Sequence, residues 1–155
     1  MNQSSNMTQK GMINKIIEAA DMTDFNPNWA PASSTPLGGD SSGELMDEPG
    51  NYRSIIGMLL YFTTNPCPGC ALAVSQVTPF SHDPKKLHAT VVKNIIRYLH
   101  RSNDKAMTVM PIGVLSLGDY DASFAGNYGV EPAENPVSVK SPAGIITFLA
   151  GCRLI

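Results

Sequence analysis

Charge is scarce in this sequence. Asp, Glu, Lys and Arg make up 15% of its 155 residues, against about a quarter in ordinary soluble domains. The net charge of -2 gives no whole-chain signal for a polyanionic partner. Long apolar runs are missing too: none approaches the ~20 residues of a membrane-spanning helix. The N-terminus, MNQSSNMTQKGM, is polar and shows no secretory leader pattern, so an intracellular setting without membrane contact is expected. Three cysteines in such a setting argue against a disulfide framework. Aromatic residues are few, at 7%. What is abundant is aliphatic and sulfur-bearing: 43% of the chain is hydrophobic, enough for a packed core.

The few charges are unevenly spread. Residues 1–50 hold Lys10 and Lys15 against seven acids. Residues 51–106 hold seven bases against Asp83 and Asp104. Residues 107–155 hold two bases against four acids. A basic middle between acidic ends says more than the total.

Four segments follow from the pattern. In residues 1–25, Met12, Ile13, Ile16, Ile17 and Ala20 form an apolar stripe at helical spacing. Residues 26–50 mix Pro and Gly with four acids and no base, and read as an acidic spacer. Residues 51–106 are helical. There Tyr52, Ile55, Ile56, Leu59, Leu60 and Thr63 share a face, with Asn51 as the expected N-cap. ALAVSQVTPF reads as a short buried helix ending near Pro79. A further helix is expected to start at Asp83-Pro84. It would bury His88, Val91, Ile95 and Leu99 and turn Lys86, Lys93, Arg97 and Arg101 outward. Residues 107–155 read as a meander of about three short strands. The fold class is thus α+β: a small helical bundle, then an incomplete antiparallel sheet.

Three constellations could carry chemistry. Cys67, Cys70, His82 and His88 follow C-x2-C-x11-H-x5-H, close to a zinc-finger spacing. A finger, however, needs both histidines on one helix, and Pro79 and Pro84 bracket His82. The C-x-x-C pair lacks the βαβ surroundings of a redox dithiol. Zinc is therefore not assigned. The second constellation is the basic stripe Lys86, Lys93, Arg97 and Arg101. It reads either as a solvated face or as a phosphate-binding row for a nucleic-acid duplex. The third is Asp121, at the end of a strand and followed by small residues. Asp119 lies at i-2 and could face the same way. Two-metal phosphodiester hydrolysis needs several such carboxylates.

Read in order, several motifs resemble one family. Tyr52-Arg53-Ser54, Gly57, Leu59 and Tyr61 come first. Ala73-Val74-Ser75-Gln76, then Pro84 and His88, then Arg97-Tyr98-Leu99 follow. This succession resembles the Pol polyprotein of copia-type LTR retrotransposons, just after the reverse transcriptase palm. The resemblance runs from about Thr8 to Cys152. It implies a thumb and connection region followed by the opening strands of an RNase H domain. The polymerase carboxylates of the family have no counterpart here. Of the RNase H carboxylates only the first is matched, by Asp121, where Asp-Ala-Ser replaces the family's usual Asp-Ala-Asp. Cys67-Pro68-Gly69 stands where the family has Arg-Pro-Asp, and Pro142 where it has a basic residue.

The resemblance implies a catalytically inactive piece of a reverse transcriptase/RNase H polyprotein. Mg²⁺ is the family's cofactor, and no cofactor is expected for this piece. Its implied partners are an RNA–DNA hybrid or DNA duplex and the rest of the polyprotein. A duplex-binding module acting through the basic stripe is the alternative. A zinc-stabilised interaction protein is a third reading.

Overall fold

The computed structural model describes residues 5–22, 26, 28–33, 37–64, 68–109, 120–122, 143–145, 148–149 and 152–153. Two compact units emerge. One is Thr8–Lys105; the other combines Met1–Met7 with Ala106–Ile155.

The first unit is helical. Its helices are α1 (Lys10–Ala19), α2 (Pro49–Thr63), α3 (Ala71–Val77) and α4 (Lys86–Arg101). Short 3-10 turns flank α3 at Pro68–Cys70 and Thr78–Ser81. Helix α2 packs on α1 and α3, and α4 packs on the same two. The shared core holds Ile13 and Ile16 of α1, Tyr52, Ile55, Ile56, Leu59 and Phe62 of α2, Ala73, Val74 and Val77 of α3, and Val92, Ile95, Ile96 and Leu99 of α4.

The ends of these helices have local causes. After α1 the chain turns through Asp21, at a left-handed φ of 49°. The Asp21 N–H bonds the Glu18 carbonyl at 3.1 Å and the Met22 N–H bonds the Ile17 carbonyl at 3.3 Å. This pair is the Schellman closure, which satisfies carbonyls that a helix end leaves open. Helix α2 starts two residues before the expected Asn51 cap, with Glu48 as N-cap and Pro49 in the first turn. Proline's fixed φ suits that place, where its missing N–H costs nothing.

Helix α4 starts later than its Asp83-Pro84 signal indicates. Lys85 is the N-cap and is extended, at φ -98° and ψ 165°. The cause lies in residues 26–50. Leu45 pairs with Lys85 in an antiparallel bridge. The Met46 N–H bonds the Pro84 carbonyl at 3.2 Å, and the Lys86 N–H bonds the Glu44 carbonyl at 3.0 Å. These bonds hold residues 84–85 out of the helix. Asp83 pairs with Lys85 Nζ at 2.9 Å.

So residues 26–50 are more than a spacer. Ala32, Leu37 and Met46 pack partly buried against the helical core. A tight turn at residues 40–43 reverses the strap, with Asp40 at φ 45° and the Gly43 N–H on the Asp40 carbonyl at 2.9 Å. A Cβ on Gly43 would stand 2.0 Å from the Asp40 carboxylate, so any larger residue there would have to displace that side chain.

The second unit is described only as short strand pairs. Strand β1 (Ser5–Met7) runs antiparallel to β2 (Met107–Val109), with Asn6 opposite Thr108. β3 (Tyr120–Ala122) pairs with β4 (Ala143–Ile145), placing Asp121 opposite Gly144. β5 (Phe148–Leu149) pairs with β6 (Cys152–Arg153). Among the described residues these remain three separate two-stranded ribbons, and the expected meander is not seen. The helical character of the chain stands. Asp119, Ser123 and Pro142 lie outside the described residues.

Candidate nucleic-acid interface

The motif residues occupy defined places in the helical unit. Tyr52 is fully enclosed, and its hydroxyl donates to the Val77 carbonyl at 2.9 Å. Burial pushes its phenol above the ordinary value near 10. Arg53 reaches the same corner. Its Nε donates to the Ser81 carbonyl at 2.8 Å and its Nη2 to the His82 carbonyl at 3.2 Å. Thr78 Oγ1 donates to the Val74 carbonyl and Ser81 Oγ to the Thr78 carbonyl, both at 2.7 Å. The carbonyls that the end of α3 leaves open thus find partners on α2 and in the turn itself.

His88 is completely buried and stacks on Phe80, with ring centroids 4.1 Å apart. Its Nδ1 accepts the Lys85 backbone N–H at 3.0 Å. That acceptor role leaves the ring proton on Nε2, which faces the Gly38 carbonyl at 3.0 Å. His88 therefore ties the strap to the start of α4. Both ring nitrogens are engaged, so neither is available to a zinc ion. Of the other residues in the zinc-like spacing, Cys70 is buried, His82 is exposed and Cys67 lies outside the described residues. Among the described residues no three His, Cys, Asp or Glu side chains gather as a metal site.

The basic stripe runs along the outer face of α4. Lys86, Lys93 and Arg101 are exposed and Arg97 is half-buried. The core side holds His88, Val92, Ile95, Ile96 and Leu99. Val91, expected in the core, is only partly buried, and Val92 and Ile96 take its place. The cations differ in surroundings. Lys86 Nζ donates to Glu44 Oε2 of the strap. That hydrogen bond, and the opposite charge, hold the Glu44 carboxyl below its usual range and the Lys86 ammonium above its own. Both groups are exposed, so the pair contributes little to stability. Arg97 Nη1 donates to Asn94 Oδ1 at 3.1 Å. Arg101 lies over the Trp29 ring, its Cζ 3.0 Å from the ring centre. Sequence patterning gave no sign of this last contact, because 72 positions separate the two residues and neither belongs to an apolar stripe.

The backbone places Asp121 in β3. The distribution of charge makes α4 the chain's candidate interface, because it carries a row of cations on a rigid, packed helix.

The chain is similar to retrovirus-related Pol polyproteins of transposons. It is 29% identical over 122 residues to that of transposon RE1 from Arabidopsis thaliana, a match covering 78% of this chain and 8% of the relative. It is 28% identical over 127 residues to that of transposon TNT 1-94 from Nicotiana tabacum, covering 78% of this chain and 10% of the relative. A putative transposon Ty5-1 protein of Saccharomyces cerevisiae is 26% identical over 157 residues, covering 97% of this chain and 48% of that protein. The chain thus spans about a tenth of the Pol polyproteins it matches and about half of the shorter yeast protein. No protein-family profile matches it. No solved structure matches it.

Proposed function

We propose that this chain, a homologue of the Pol polyproteins of copia-type retrotransposons over most of its length, corresponds to their reverse transcriptase thumb and connection with the first strands of RNase H. In this reading residues 51–106 are the thumb and connection, α1 belongs to the segment between palm and thumb, and β3 with β4 opens the RNase H sheet. Asp121 is then the one RNase H carboxylate that the chain carries. One carboxylate cannot hold the two ions of phosphodiester hydrolysis. The chain by itself is catalytically silent, and what it retains is a grip on an RNA–DNA hybrid or DNA duplex.

The observation that supports this reading is the outer face of α4. It sets Lys86, Lys93, Arg97 and Arg101 on one side of a helix whose other side is buried. Successive members four to seven residues apart can follow a phosphate backbone. A labelled RNA–DNA hybrid tests it. Binding should weaken with salt, with a log–log slope of about -3.6 for four phosphate contacts, or about -2.7 if Glu44 keeps Lys86 from contributing. Lys93→Ala should weaken binding uniformly across sequences and flatten that slope by about one. A salt-independent affinity would defeat the reading. With Mg²⁺ added, no cleavage of the hybrid is expected. Cleavage that disappears in Asp121→Asn would show the chain to be an active nuclease.

A further inference from the structure

The chain has a single tryptophan, Trp29. It sits on the strap and is 77% exposed, the most exposed of the large hydrophobic residues described. An exposed indole presents a large flat apolar face with a polar N–H at its edge. Here one face is held: the Arg101 guanidinium carbon stands over the ring, 3.0 Å from its centre. With that much of the side chain in water, the opposite face is open. Arg101 is also the last cation of the basic stripe. Arg97 lies one turn before it and Lys93 two turns before it, along ~12 Å of helix. The N-terminal end of the stripe is different, since Lys86 there is paired with the strap's Glu44.

We infer that Trp29, fixed by Arg101 at the end of the α4 stripe, is a stacking platform for an unpaired base of a single-stranded nucleic acid. This rests on the nucleic-acid reading of α4 and narrows it. Two features select the occupant. An aromatic face beside a row of cations matches a nucleotide, which offers a flat base and a phosphate together. A base inside a duplex has both faces covered by its neighbours in the stack. Unpaired nucleotides, in a free strand or in an overhang beside a hybrid, can use the open face of Trp29, whereas a duplex exposes such a face only at its two terminal pairs.

Because Trp29 is the only tryptophan, its emission reports on this site alone. The full-length chain is titrated with labelled oligothymidylate and, separately, with a blunt RNA–DNA hybrid. Label anisotropy gives the affinity and Trp29 emission gives the stacking. Oligothymidylate should quench the emission saturably. Trp29→Ala should raise its Kd about ten-fold or more, and Trp29→Phe should recover part of the loss. The blunt hybrid should bind both variants as it binds the wild type. Oligothymidylate binding without quenching, or binding indifferent to Trp29→Ala, overturns the platform. So does an equal loss of affinity for the blunt hybrid. If the hybrid still binds with the expected salt slope in those cases, the duplex reading survives alone. If neither nucleic acid binds, both fall.

Discussion

Tyr52 shows what the motif residues do. Its ring fills the core between α2 and α3, and its hydroxyl satisfies a carbonyl at the end of α3. Arg53, the next residue, satisfies two more in the following turn. Neither is placed for catalysis; both fasten one helix end to another. Tyr52→Phe should therefore cost about 1–2 kcal/mol, since it strands the Val77 carbonyl in an apolar setting. The same residue predicts an alkaline limit. Its phenol is raised in the folded chain by desolvation, while the unfolded chain titrates near 10. The folded form then holds its proton where the unfolded form releases it. That contribution is complete below pH ~10 and is lost as pH rises above it. Urea midpoints measured between pH 8 and 11 should fall more steeply for the wild type than for Tyr52→Phe. Periodicity alone identified Tyr52 as a core residue. The partner of its hydroxyl lies 25 residues away and has no local signature.

Among the elements, each helix of the unit was visible in the spacing of apolar residues, and the errors cluster where two segments meet. The expected stripe of α4 included Val91, yet Val92 and Ile96 are buried. A helix clamped between two neighbours, here α1 and α3, buries a wider arc than a single stripe describes. Leu60 was expected in the core of α2 and is 40% exposed, while Phe62 lies inside. The start of α4 was displaced because a strap 40 residues upstream pairs with it, which no local rule for capping can register. These placements carry measurable consequences. Ile95→Ala, at a fully enclosed site, should cost about 2–5 kcal/mol. Leu60→Ala should change stability by less than about 0.5 kcal/mol. At the end of α1, Asp21 holds a left-handed conformation that glycine adopts freely. Asp21→Gly should leave the unfolding free energy unchanged or raise it by up to about 1 kcal/mol, whereas Asp21→Val should lower it.

On the scale of the whole molecule, the sequence divides at its acidic segment, but the fold does not. Residues 51–106 look self-sufficient by pattern, being helical, basic and bounded by Pro-rich chain. The helical unit instead runs from Thr8 to Lys105. Helix α1 inserts Ile13 and Ile16 into the core from the far side of the strap, and Lys10 reaches Asp104 at 2.6 Å. The strap adds Ala32, Leu37 and Met46, and ties His88 through Gly38. Burying two isoleucines is worth about 3–6 kcal/mol, set against a total of about 5–15 kcal/mol for a domain. A segment spanning residues 8–105 should therefore unfold in one cooperative transition, followed by far-ultraviolet circular dichroism in urea. A segment spanning residues 51–105 should unfold at a much lower midpoint or show no transition at all. Equal midpoints would mean that α1 and the strap contribute nothing to the core they touch. Since Trp29 belongs to the strap, only the longer segment can report, through its emission, whether Arg101 is still in place when the helices melt.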